Sequence, residues 1–106
     1  MAEPDELLVS VEGFQWDAGN SEKNWQRHKV SQLECEQAFF NQPLLVATAV
    51  KHSGDEQRLF ALGRTDTSRE LAVVFTLRGG RIRVISARPM SRSERRQYAG
   101  AQANKE

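Results

Sequence analysis

Two adjacent glycines, Gly79 and Gly80, set between runs rich in Val, Ile and Phe, constrain this chain more than any other feature. Glycine adopts positive φ without steric cost, and a two-residue primed turn needs that conformation at its centre, so residues 71–88 are predicted to form a β-hairpin. With the turn at 79–80, Arg78 faces Arg81, Leu77 faces Ile82, Thr76 faces Arg83, Phe75 faces Val84 and Val74 faces Ile85. A further strand is predicted over residues 57–64, joined to the hairpin by a polar connection at 65–69. A five-residue connection pairs Arg64 with Glu70, Leu62 with Ala72, Phe60 with Val74 and Arg58 with Thr76.

Reading across the three strands separates two faces. Leu59, Ala61, Val73, Phe75, Leu77, Ile82 and Val84 share one that is apolar throughout and suited to packing under helices. On the other, an apolar row of Phe60, Val74 and Ile85 is followed by Arg58, Thr76 and Arg83, with Glu56, Arg78 and Arg81 meeting at the rim. Two arginines flanking a threonine, with a carboxylate one row out, form an anion-binding constellation; a surface ion network of little energetic weight is the alternative. In this register Arg88 falls on the face opposite Arg83, beside Ser86, as an edge contributor that meets the final helix.

The first half of the chain carries helical signals. Residues 14–16 suit a short strand, and Asp17 offers a carboxylate at a helix N-cap before a predicted helix over 18–28. Where a core stripe would place Leu or Ile, this helix has Asn20, Asn24, Arg27 and His28, and His28 stands one turn from Asn24. Trp25 is its only large apolar side chain, and core roles are expected for Trp16 and Trp25, with base stacking as the alternative. Ser31 and Glu34 form a capping box that starts a second helix, ended by Asn41-Gln42-Pro43. Residues 44–50 read as a strand and 51–55 as a polar turn. Ser91 and Glu94 form another capping box, which opens a C-terminal helix containing Tyr98.

A chain of 106 residues, 39% of them hydrophobic, supports one core. The expected division is a lead-in or arm over 1–12, one domain over 13–99 and a fraying tail over 100–106. No run is long enough to span a bilayer and the acidic start is unlike a signal peptide, so a cytoplasmic location without membrane association is expected. Cys35, the single cysteine, excludes an internal disulfide and reads as a small buried apolar residue; His28 and His52 lack ligand spacing, so no metal or other cofactor is expected. A net charge of +1 conceals an asymmetry: residues 1–57 carry −6 and residues 58–106 carry +7. A basic half suits a polyanion such as nucleic acid, or is simply a solvated face.

Several spaced elements together resemble the BrnT family of type II toxin–antitoxin toxins. They are Phe14-x-Trp16-Asp17, Asn24 with Arg27-His28, Val30-Ser31, Phe40 before Pro43, Glu56-x-Arg58, Gly63, Leu71-x-Val73-Val74, and Ile82-Arg83-Val84-Ile85-Ser86-Ala87-Arg88 followed by Glu94 and Tyr98. The resemblance covers residues 14–98. It implies a RelE-like α+β fold: an antiparallel sheet of about four strands, two N-terminal helices packed on one face, and a C-terminal helix. It also implies a ribonuclease that inhibits translation, RNA on the other face, and neutralisation by a BrnA-type antitoxin through which the toxin joins a homo- or hetero-oligomer. Two positions depart from the family pattern, Asn20 in place of a lysine and Lys29 in place of a glycine.

Chemistry and resemblance converge on a metal-independent endoribonuclease in which the ribose 2′-hydroxyl attacks the adjacent phosphorus. Arg58 and Arg83 are expected to stabilise the phosphorane, with His28 as base or acid and Glu56 as the alternative base or the group that orients it. Asn24, Arg27, Thr76, Arg81, Arg88 and Tyr98 are the expected RNA-binding set; Tyr98 is also a candidate proton donor or a cap on the sheet edge. A non-catalytic RNA- or protein-binding module, and a degenerate toxin retained for antitoxin pairing, are the competing readings, both favoured by Asn20.

Overall fold

The computed structural model describes residues 11–48 and 58–103. In chain order the elements are β1 (Gly13–Phe14), α1 (Ala18–His28), α2 (Gln32–Phe40), β2 (Leu45–Thr48), β3 (Leu59–Arg64), β4 (Glu70–Arg78), β5 (Arg81–Pro89) and α3 (Arg92–Ala103). The fold is α+β, with a five-stranded sheet in the order β1-β5-β4-β3-β2. β1 runs parallel to β5 and the remaining pairs are antiparallel, so the expected antiparallel sheet of about four strands becomes a mixed sheet of five. A two-residue strand is too short to carry an alternation signal. It is held from outside, by Glu12 N donating to Gly80 O at 2.7 Å and Gln15 N to Ile82 O at 2.8 Å.

The hairpin turns where the glycines require it, with φ of 54° at Gly79 and 79° at Gly80. Its pairing follows expectation from Arg78↔Arg81 to Phe75↔Val84, and the β3–β4 pairing does so from Arg64↔Glu70 to Leu59↔Phe75. Beyond Val84 the register shifts: Val74 pairs with Ser86, not with Ile85, and Ala72 with Arg88. Ile85 is the extra residue of a β-bulge. The slip returns Arg88 to the face that carries Thr76 and Arg83, which corrects the expectation that Arg88 looks away from them. A bulge inside a run of strand-forming residues changes no local propensity, so the sequence alone carries no sign of it.

One sheet face packs Leu59, Ala61, Val73, Phe75 and Val84 against Val30, Cys35 and Ala38 of α2 and its entry. Close approach at this interface depends on Gly63, where a Cβ would run into the Ala38 carbonyl oxygen. On the other face, Tyr98 of α3 and Met90 close over Leu62 and Ala72 at one end. The helix continues past the expected start of the tail, to Ala103. No helix among the described residues is long and apolar enough to cross a membrane.

The first helix departs from the expected pair of helices on one face. α1 has no apolar stripe; instead the buried Asn24 accepts a hydrogen bond at Oδ1 from Ala87 N of β5 at 3.0 Å. The helix therefore takes over the lateral hydrogen bonding of β5 beyond the point where β1 stops. Trp25 lies a third of a turn away and is 51% exposed, which corrects its expected core role. Trp16 packs against the core, and its Nε1 donates to Glu36 at 2.8 Å.

Candidate active site

Thr76 sits across from Arg83 on β5, and continuing the β3–β4 pairing one residue past Leu59 sets Arg58 on its other side. Thr76 is buried, while Arg58 and Arg83 are half-buried. This row lies on the sheet face that α3 covers at its far end, and Val74, Ser86 and Arg88 continue it toward the helix. At the hairpin rim Arg78 and Arg81 are exposed and border a hollow of about 410 Å³ with Glu12, Gln15 and Gly79.

Two of the arginines are held by carboxylates. Arg83 Nη1 donates to Asp17 Oδ2 at 2.8 Å, which links β5 to the residue that opens α1. Arg88 forms a fork with Glu94: Nη1 to Oε1 at 2.7 Å and Nη2 to Oε2 at 2.9 Å. Glu94 also closes the α3 capping box, accepting from Ser91 N at 2.8 Å while Ser91 Oγ accepts from Glu94 N at 3.2 Å. The Arg88 hydrogen bond, outweighing burial, lowers the Glu94 carboxyl to about 2. Arg88 thereby ties the polar row of β5 to the start of α3, whose Arg92, Arg95 and Arg96 are exposed.

Other expected site residues lie elsewhere. Asn24 and Tyr98 are buried and committed to packing, Asn24 to β5 and Tyr98 through its hydroxyl, which donates to Pro43 O at 2.6 Å. Among the described residues the Nδ2 of Asn24 has no hydrogen-bond partner, and Tyr98 joins α3 to the loop before β2. His28 and Arg27 end α1, where the His28 carbonyl accepts from Arg69 Nη2 at 2.9 Å and the Lys29 carbonyl from Arg69 Nη1 at 2.7 Å. From Arg69 to Thr76 along β4 is about 23 Å at ~3.3 Å per residue. The backbone of His28 therefore lies toward the Arg69 end of β4, and Thr76 and Arg83 lie toward the hairpin end. Glu56 lies outside the described residues, as do His52 and the rest of the polar turn.

Two contributions were hidden from sequence reasoning. Asp17 reads as a helix cap, and nothing local to it reveals a partner 66 residues away. Arg69 reads as part of a polar loop, yet it caps the end of α1 and pairs with both Glu34 carboxylate oxygens at 3.1 Å. Burial alone would raise the Glu34 carboxyl, but the Ser31 backbone amide and Arg69 together lower it.

The domain is a small α+β fold that sets Arg83 and Arg88 on one sheet face with Thr76. A family model described as "Ribonuclease toxin, BrnT, of type II toxin-antitoxin system" matches residues 16–94. The chain belongs to the BrnT family, whose members are ribonuclease toxins of type II toxin–antitoxin systems. A comparison with curated proteins gives no match.

Proposed function

We propose that this toxin cuts RNA without a metal ion, on the sheet face that carries Arg58, Thr76 and Arg83. The 2′-oxygen attacks the adjacent phosphorus, the bond to the 5′-oxygen breaks, and a 2′,3′-cyclic phosphate and a free 5′-hydroxyl result. One proton leaves the 2′-hydroxyl and one is delivered to the 5′-oxygen. The phosphorane carries extra negative charge, and two guanidinium groups from either side of β4 answer it with positive charge. The observation that carries this reading is the pairing of Thr76 with Arg83, which sets a half-buried guanidinium beside a buried threonine at the hairpin end of the sheet.

Glu56, two residues ahead of Arg58, is the proposed base. His28, whose backbone lies toward the Arg69 end of β4, is the alternative base or acid. Arg81 and Arg88 extend the cationic track on either side of Arg83, Arg88 from its clamp on Glu94. The partner that silences the toxin is a BrnA-type antitoxin, and a basic face of this kind suits an acidic segment of it. The toxin works in the cytoplasm by inhibiting translation.

Inducible expression separates this reading from a non-catalytic binding module and from a degenerate toxin. Growth arrest by the wild-type chain, together with RNA cleavage by antitoxin-free protein in the presence of EDTA, is the expected outcome. A chain that neither arrests growth nor cuts RNA when freed of antitoxin contradicts it.

A further inference from the structure

We propose that Asp17 is a positioning residue for Arg83: its carboxylate holds one end of the guanidinium so that the opposite edge meets the scissile phosphate. This inference rests on the assignment of Arg83 to the phosphorane. Arg83 has five N–H donors, and among the described residues its only hydrogen bond is the one from Nη1 to Asp17 Oδ2 at 2.8 Å. A contact through Nη1 alone leaves the Nε and Nη2 edge of the fork intact, and that edge matches two oxygens of a phosphate. The side chain of Arg83 is 23% exposed and that of Asp17 is 51% exposed, so the pair lies at the surface of the sheet where a ligand reaches it.

The placement of Asp17 suits this task. It directly precedes α1, whose later residue Asn24 is fixed to Ala87 of β5. The helix start is thus tied to the same strand that bears Arg83, and the carboxylate has little freedom to drift. An arginine on a strand has many rotamers in water; one charged hydrogen bond from a fixed point removes most of them before substrate arrives. The benefit belongs in the chemical step, since the aligned fork counts most when charge builds on the phosphorane. Ground-state affinity gains nothing, because Asp17 also brings a negative charge close to the RNA.

The test uses the full chain freed of antitoxin, with a fluorogenic single-stranded oligoribonucleotide as substrate. The same oligonucleotide with 2′-O-methyl riboses, which lacks the attacking hydroxyl, reports binding. Asn and Asp are equally suited to the position before a helix, so Asp17→Asn removes the charge at little cost to the start of α1. Its kcat is expected to fall about tenfold to a hundredfold, in line with the cost of a misplaced catalytic group. KM, binding of the methylated analogue and Tm stay at wild-type values, and Asp17→Glu recovers most of the lost rate. Asp17→Asn cleaving at the wild-type kcat, or losing rate only through KM and weaker analogue binding, overturns the proposal. Arg83→Ala run in parallel separates the two levels: if it too cleaves normally, the Arg83 assignment fails, whereas if it is inactive and Asp17→Asn is normal, only the positioning role falls.

Discussion

Lys29 shows how one residue can carry strain for its neighbours. It follows the last residue of α1 with φ of 55°, the left-handed conformation that a helix commonly needs just past its end. Glycine adopts this conformation without cost, and the backbone shows why the position demands it: Lys29 N donates to Trp25 O at 2.9 Å and Val30 N to Asn24 O at 3.3 Å, closing the helix. A lysine in this conformation costs about 1–2 kcal/mol. It recovers about 0.5 kcal/mol by lying over the Trp25 ring, 5.2 Å from its centroid. Lys29→Gly is therefore expected to stabilise the protein by about 0.5 kcal/mol after the added chain entropy of glycine is counted, a small rise in denaturant midpoint. Cys35 makes the opposite point, because its reading as an inert buried residue needed no structure: burial first, then the charges of Glu34 and Glu36, push the thiol up to about 12.

At the scale of elements, two contacts decide how the faces of the sheet are used. The α2–β3 contact depends on Gly63, since any Cβ there meets the backbone carbonyl of Ala38. Backbone atoms cannot step aside as a flexible side chain would, so Gly63→Ala is expected to cost about 1–3 kcal/mol in chemical denaturation. The β5–α3 contact is the Arg88–Glu94 fork, which carries a pH dependence. The Glu94 carboxyl titrates near 2 in the folded protein against an ordinary value of 4.5. A carboxyl lowered by folding contributes stability that is complete above about pH 4.5 and disappears as the pH falls toward 2. Glu94→Gln preserves the capping box and removes the charge. It should lower stability at neutral pH by about 1 kcal/mol, the Arg88 side chain being 40% exposed, and flatten the acid side of the Tm-against-pH curve. A Glu94→Gln curve parallel to wild type below pH 4.5 contradicts this account of the fork.

For the molecule as a whole, the sequence disclosed what is local or repeated and concealed what depends on long-range placement. Both capping boxes, the glycine turn and the five-residue loop have fixed short-range chemistry, and from them the β3–β4 pairing and the hairpin pairing up to Val84 could be written down. The short strand expected over 14–16 overlaps β1 at Phe14, but its parallel pairing with β5 could not be read from so short a run, and neither could the bulge at Ile85, because a single inserted residue alters no propensity. That bulge decides the face of Arg88. The site divides the same way. The alignment of Arg83 with Thr76 follows from counting outward from the turn, while the separation of His28 and the arrival of Asp17 depend on how α1 lies along β5. On the polar face of α1, Asn24 holds that strand, a structural task its sequence position did not announce.

The central claim is that Arg83, at the hairpin end of the sheet beside Thr76, stabilises the transition state of RNA cleavage. The most direct measurement is the single-turnover cleavage rate of Arg83→Ala, freed of antitoxin, alongside its thermal unfolding. Loss of a charged group aimed at the phosphorane is expected to slow cleavage by about 10²-fold to 10³-fold, with cooperative unfolding retained. A folded Arg83→Ala protein that cuts RNA at the wild-type rate would contradict the assignment.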